Sequence, residues 1–388
     1  MSDQRQVSIK AASFTESVIR EMTRLSDLHD AINLGQGFPD FPAPEAVKEA
    51  ARRAIADDHN QYPVTWGVPA FREAIAAHYD RTYGMHVDPE REICVTCGST
   101  EAMIAAMVGL VNPGDEVIIF EPFYENYGPD SIISGAVPRL VTLHPPDWTF
   151  DEAHLRAAFG DRTRAIVINS PNNPTGKVFT RAELALIGEL CERHDAIAIT
   201  DEIYEHITYD GTRHVPIATI PGMEERTVTV SALSKTYAVT GWRVGWAVAS
   251  PALMDGIRPV HDFLTVAAPG PFQIAGVAAL ALPPEYYVGL THDYGARRDA
   301  MMRILDEVGF AADPPKGAYY VMADVSKLGY EHDVAAAHDL VERVGVATVP
   351  GSSFFSKPEL GAHLLRFAFC KRLETLEEAG ERLRAIVA

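Results

Sequence analysis

Six short apolar runs divide the middle of this chain, and a cluster of polar residues directly follows each of the first five. The runs cover residues 93–96, 116–120, 165–169, 196–200, 227–230 and 243–248. Apolar residues three and four apart predict helices over 43–57, 70–83, 100–111, 181–194 and 375–387. Strands of this length alternating with helices predict an α/β fold, a mainly parallel sheet covered on both faces. Ligands of such sheets gather at the strand carboxyl ends. The polar clusters stand there: Gly98 to Glu101, Glu121 to Tyr124, Ser170 to Gly176, Asp201 to Tyr204 and Ser231 to Lys235. Five clusters at equivalent ends of five strands predict one site.

Composition excludes several function classes. The net charge of −19, from 53 acidic and 34 basic residues, disfavours nucleic acid and anionic membrane as partners. No apolar run is long enough to span a bilayer, and Met1 to Arg5 lack a signal-peptide layout, so the expected location is cytoplasmic. Of four cysteines, Cys94 and Cys97 have metal-type spacing, but Cys191 and Cys370 do not form a matching pair, so no metal is expected.

Each cluster suggests a piece of chemistry. Lys235, between the 227–230 run and Arg243, sits where an amine could form an imine with an aldehyde cofactor, and Arg243 could clamp an anion. The competing reading is a solvated loop with two ordinary cations. Gly98-Ser99-Thr100 precedes a helix, where a phosphate fits the backbone N–H groups; a plain helix cap is the alternative. Asp201 ends an apolar strand, and a carboxylate there needs a cationic or hydrogen-bonding partner such as a protonated pyridine nitrogen. Tyr204 and Asn173 could donate to the phenolic oxygen of that ring, although Asn173 also suits a turn. Tyr124 could stack on a flat ring or simply pack in the core.

With these residues in view, the chain resembles the class I/II aminotransferases of the fold type I pyridoxal-phosphate superfamily. The resemblance rests on Asn33-Leu-Gly-Gln-Gly-Phe-Pro-Asp-Phe41, Asn60-Gln-Tyr62, Gly67-Val-Pro69, Glu121-Pro-Phe-Tyr124, Asn172-Asn-Pro-Thr-Gly176, Asp201-Glu-Ile-Tyr204, Ser234-Lys235, Gly241-Trp-Arg243, Pro350 to Phe354 and Leu365-Arg-Phe367, in the family's order. The first and fourth of these look most like the kynurenine, glutamine and methionine aminotransferase branch. The resemblance implies pyridoxal 5′-phosphate held as an imine on Lys235, which then moves the substrate's proton. Asp201 would pair with the pyridine nitrogen, with Asn173 and Tyr204 on the ring oxygen and Tyr124 on the ring face. Ser99, Thr100, Ser234 and Arg243 would bind the phosphate, joined by Tyr62 across a homodimer interface. Arg366, with the Gly37 backbone, would grip the substrate's α-carboxylate. Ala232 departs from the family pattern and puts one phosphate contact in question.

The same resemblance implies a large cofactor domain over 45–280 with a seven-stranded sheet, and a small α+β domain built from 1–44 and 281–388. It implies ping-pong amino transfer from an L-amino acid to a 2-oxo acid, without nucleic acid or membrane. Aromatic, methionine or glutamine-like donors are favoured, because 261–268, where a side-chain-binding arginine is expected, contains none. Arg258 stands just outside that stretch and keeps aspartate open as an alternative. Cysteine-conjugate β-lyase activity on the same site is another, and a non-catalytic sensor is disfavoured by the acidity and the lack of a basic helix-turn-helix segment.

Overall fold

The structure, a computed structural model, describes residues 7–14 and 16–386. The segment Met1 to Arg5 and the end of the helix expected to reach Val387 lie outside the described residues. An eight-stranded sheet forms the centre, in the order Ile93–Thr96, Gly245–Ala249, Thr227–Ala232, Ile197–Asp201, Thr163–Asn169, Glu116–Glu121, Val137–His144, Thr149–Phe150. Each of the six expected strands is present, with ends displaced by two residues at most. Seven strands have four residues or more, and the eighth, Thr149–Phe150, is a two-residue antiparallel return on the edge. Val137–His144 escaped sequence reading because only Val141 and Leu143 of it are buried, so it shows no continuous apolar run.

Strand direction explains how the polar clusters meet. Four neighbouring pairs are parallel, whereas Gly245–Ala249 runs antiparallel to both its neighbours. The five strands that carry polar clusters therefore end at one edge, as does Val137–His144, and Gly245–Ala249 begins there, which brings Arg243 to the same place. Within the sheet, Ile118, Phe120, Ile166 and Ile168 pack on one face and Val117, Ile119, Ala165 and Val167 on the other. Burial of both faces makes these strands legible as unbroken apolar runs.

The expected helices occur as Glu45–Ala56, Pro69–Tyr83, Ser99–Leu110, Arg181–His194 and Leu373–Leu383, the last continued by a single 3-10 turn, Arg384–Ile386. A second sheet, of four strands, is formed by Ala311–Ala312, Tyr320–Asp324, Leu364–Ala368 and Val349–Pro350. It carries Arg366 opposite Met322 and Val349. The amino-terminal segment joins this part of the molecule: Ile32–Asn33 pairs with Val346–Ala347, and the Ala368 N–H donates to the Leu34 carbonyl at 2.7 Å. Among the described residues no helix is long and apolar enough to cross a membrane.

Candidate active site

At the carboxyl ends of the parallel strands lies a cavity of about 420 Å³. Eleven of the twelve residues singled out in the sequence line it: Gly37, Ser99, Thr100, Tyr124, Asn173, Asp201, Tyr204, Ser234, Lys235, Arg243 and Arg366. The twelfth, Tyr62, is 85% exposed and stands outside it. A cavity of similar size, about 460 Å³, opens at the opposite edge of the sheet and contains no lysine or arginine.

Lys235 occupies one turn of helix, Leu233–Thr236, and not the solvated loop of the competing reading. Its Nζ makes one long hydrogen bond, 3.4 Å to the Gly37 carbonyl. Burial disfavours the ammonium form and brings the amine down to about 8, against the opposing pull of Cys370 and Asp201. In the same cavity Asp201 is pushed up to about 6 by burial, while Tyr127, Ile203 and Lys235 act to keep it ionised. The Tyr127 hydroxyl donates to Asp201 Oδ2 at 2.9 Å, and the Ile203 N–H donates to Oδ1 at 3.3 Å.

One end of the cavity is built for an anion. Helix Ser99–Leu110 starts there without a side-chain cap, which leaves the Ser99 and Thr100 hydroxyls and the first N–H groups facing the space. Gly98 has φ of +82°, and a Cβ there would come within 2.5 Å of Arg243 Nη2. Glycine thus permits both the turn and the approach of the guanidinium. Arg243 is anchored weakly, by 3.2 Å to the Thr240 carbonyl and 3.4 Å to the Cys97 carbonyl. Ser231 does not serve this end, since its hydroxyl donates to Glu205 at 2.9 Å, and Ala232 packs in the core. Of Ser231, Ala232 and Ser234, only Ser234 lines the cavity.

The other end holds Arg366, 1% exposed and flanked by the rings of Tyr320 at 4.4 Å and Phe354 at 4.8 Å. It donates to Asn173 Oδ1 at 2.8 Å and to the Gly35 carbonyl at 2.5 Å, and its buried Nε has no partner. With Oδ1 occupied, Asn173 keeps its side-chain N–H₂ as the free donor. The Tyr204 hydroxyl lies 3.2 Å from that of Tyr320. A Cβ on Gly37 would stand 1.9 Å from the Tyr320 hydroxyl, so only glycine allows the loop to close over this wall.

Sequence reading missed several residues here. Asn169 donates to the Asp201 carbonyl at 2.8 Å and accepts from the Asn173 N–H at 2.7 Å, tying two strand ends together. Its position as the last residue of the 165–169 run was the available signal. Tyr127 and Tyr320 had no local signal, because their contacts come from distant segments. Arg20, from the first turn of helix Val18–Leu28, and Glu125 also line the cavity. Arg258 does not, because it donates to the Glu90 and Ile93 carbonyls at 2.8 and 2.7 Å and lies over Trp66.

A partly desolvated lysine facing a carboxylate, with a helix-end anion site on one side and a buried arginine on the other, defines an α/β enzyme of the group-transfer class. The family described as aminotransferase class I and II matches residues 29–383. A probable N-succinyldiaminopimelate aminotransferase of Mycobacterium tuberculosis is 42% identical, over 96% of each chain. The methionine aminotransferase of Escherichia coli is 38% identical, over 95% of this chain and 96% of the relative. The solved structure of the Mycobacterium tuberculosis N-succinyldiaminopimelate aminotransferase superposes with a TM-score of 0.95 over 98% of this chain and 100% of that one, at 42% identity. An aspartate aminotransferase from Thermus thermophilus, solved with maleate, superposes with a TM-score of 0.91 at 33% identity, over 98% of this chain and 100% of that one. The chain belongs to the class I and II aminotransferases, within fold type I, and is itself an aminotransferase.

Proposed function

We propose that this aminotransferase moves the amino group of an L-amino acid to a 2-oxo acid in two half-reactions, with pyridoxal 5′-phosphate carried on Lys235. The observation that carries the reading is the Lys235 amine, at about 8, sharing one cavity with Asp201, the Ser99 helix end, Arg243 and Arg366. The donor set fits that cofactor: a carboxylate for a pyridinium, an uncapped helix end with an arginine for a phosphate, and an amine between them. When bound, the cofactor supplies an electron sink for the electron pair left on the substrate's α-carbon.

The chain's own residues do the rest. Asp201, kept ionised by Tyr127, Ile203 and Lys235, would hold positive charge on the ring nitrogen. Tyr204 and the Asn173 side-chain N–H₂ would donate to the ring oxygen, and Tyr124 would cover one ring face. Ser99, Thr100, Ser234 and Arg243 would hold the phosphate. Arg366, with the Gly37 backbone, takes the α-carboxylate in bidentate geometry. Lys235 Nζ, as a free amine, would carry the proton between the substrate's α-carbon and the cofactor's C4′.

Residues 45–280 then act as the cofactor unit, with 1–44 and 281–388 as the part that carries Arg366. A second copy of the chain completes the site through the partner subunit's Tyr62. Support comes from exposed Tyr62, Val64, Phe263, Leu264 and Val266. The two segments are tied by His261 Nε2, 2.8 Å from the Thr65 carbonyl. Aromatic, methionine or glutamine-like donors are supported by Arg258 facing away and by relatives named as methionine and kynurenine transaminases.

A second reading, a substrate with a carboxylate at its far end, is favoured by Arg20 in the cavity wall and by the N-succinyl relative. Keto-acid release from a panel of donors, with and without 2-oxoglutarate, decides between them. Preference for acidic-tailed donors that disappears in Arg20→Ala establishes the second reading; unchanged preference in that variant removes it. Pyruvate and ammonia released from a cysteine conjugate without acceptor would mark lyase chemistry instead.

A further inference from the structure

Behind the strand ends that carry Tyr204 and Lys235, three side chains of metal-ligand type converge in the interior. His78 comes from helix Pro69–Tyr83, and Glu205 and His206 follow strand Ile197–Asp201. Glu205 Oε2 lies 3.8 Å from His78 Nε2 and 4.0 Å from His206 Nε2, and the two nitrogens are 3.3 Å apart. The point equidistant from these atoms is about 2.2 Å from each, close to zinc–nitrogen and zinc–oxygen bond lengths of about 2.0–2.2 Å. Their side chains are 2%, 3% and 13% exposed.

Charge gives a second reason. A buried carboxylate is costly without a counter-charge. Among the described residues, Glu205 forms no ion pair with lysine or arginine, and the two imidazoles are its only basic partners within 4.0 Å. Those rings face each other through their Nε2 atoms, so they cannot both carry the extra proton at 3.3 Å. A divalent cation would satisfy the carboxylate and both nitrogen lone pairs together. The surroundings already hold the carboxylate as outer partners of metal ligands do: Ser231 donates to Oε1 at 2.9 Å and Tyr83 to Oε2 at 2.6 Å. His78 Nδ1 is buried without a partner; a proton there leaves Nε2 free to coordinate.

We propose that His78, Glu205 and His206 form a structural site for a divalent transition metal, Zn²⁺ in the first instance, with the Tyr83 hydroxyl as a hydrogen-bonding outer partner of the carboxylate. Two imidazoles and one carboxylate suit zinc or its first-row neighbours rather than calcium or magnesium. The site braces the chain one residue after Tyr204 and, through Ser231, four residues before Lys235. It takes no part in amino transfer, and it does not depend on the substrate reading.

The test uses the holoenzyme stripped with a chelator and titrated with Zn²⁺ or Co²⁺ alone. Bound metal is read by elemental analysis after desalting, and stability by the thermal midpoint. The expected result is roughly one equivalent per chain with a raised midpoint, nitrogen-and-oxygen ligand-field bands with Co²⁺, and loss of all three in His78→Ala with its cofactor absorbance retained. If His78→Ala fails to fold, His206→Asn takes its place. Failure of the wild-type enzyme to retain metal would overturn the proposal, as would equal retention in the variant or a thiolate charge-transfer band pointing to Cys97.

Discussion

Replacing Tyr127 by Phe removes one hydroxyl and little else, and its effect can be worked from the geometry. That hydroxyl donates to Asp201 Oδ2 at 2.9 Å inside the cavity, where Asp201 stands at about 6. A hydrogen bond to a charged group contributes about 1.5–3 kcal/mol, and one pKa unit corresponds to about 1.4 kcal/mol, so the variant's carboxyl should rise by about one to two units. Only the ionised carboxylate can pair with a protonated ring nitrogen. At about pH 7 the ionised fraction then falls from about nine-tenths to between about a half and a tenth, a two- to tenfold weakening of cofactor binding. At about pH 6 the deficit grows to about five- to fiftyfold, and by about pH 9 it closes, because both forms are then ionised. Titration of apoenzyme with pyridoxal phosphate across that range, followed by absorbance, measures this directly. A deficit of constant size at every pH would mean that Tyr127 matters by shape alone, and no deficit at all would remove Asp201 from ring-nitrogen binding.

Further predictions concern groups around the same cavity. Asp130, pushed up to about 7 by burial and by Asp201, has one buried oxygen without a partner. Because its folded pKa lies above the ordinary 3.8, the stability linked to its protonated form is complete below about 4 and is lost as pH rises through about 7. Asp130→Asn should therefore gain on the wild type between those limits, by up to about 4 kcal/mol above pH 7, as read from urea midpoints; parallel pH curves would contradict this. Arg366→Lys keeps the charge but loses the planar fork, and kcat/KM should fall about 10- to 150-fold, mainly through KM for the amino acid. Steady-state kinetics with two amino acids that differ only in the side chain check it, since a loss confined to one donor would place Arg366 on the side chain instead.

The parts of the fold legible in the sequence were those buried on both sides. Strands such as Thr163–Asn169 and Ile197–Asp201 are covered on both faces and read as continuous apolar runs. Val137–His144 is half exposed and did not. Helix Pro251–Thr265 carries Gly256 and Pro259 inside it, which breaks the pattern that identifies a helix. The site was legible where one residue type at a strand end carries the chemistry, as with Lys235, Asp201 and Asn173. Tyr127, Tyr320 and Arg20 were not, because their importance arises only when segments far apart in sequence meet. The same holds for His78, which approaches Glu205 and His206 across more than a hundred residues. Second-arginine reasoning looked to 261–268 and Arg258, whereas the cavity's further arginine comes from the amino-terminal helix.

The account stands on Lys235 as the residue that carries the cofactor. Borohydride reduction of the enzyme loaded with pyridoxal phosphate, followed by digestion and mass spectrometry, locates the trapped adduct. The adduct should appear on the peptide containing Ser234-Lys235-Thr236 and be absent from Lys235→Ala, whose transaminase activity should be lost. An adduct on any other lysine, or a Lys235→Ala enzyme that still transaminates at the wild-type rate, would contradict the account.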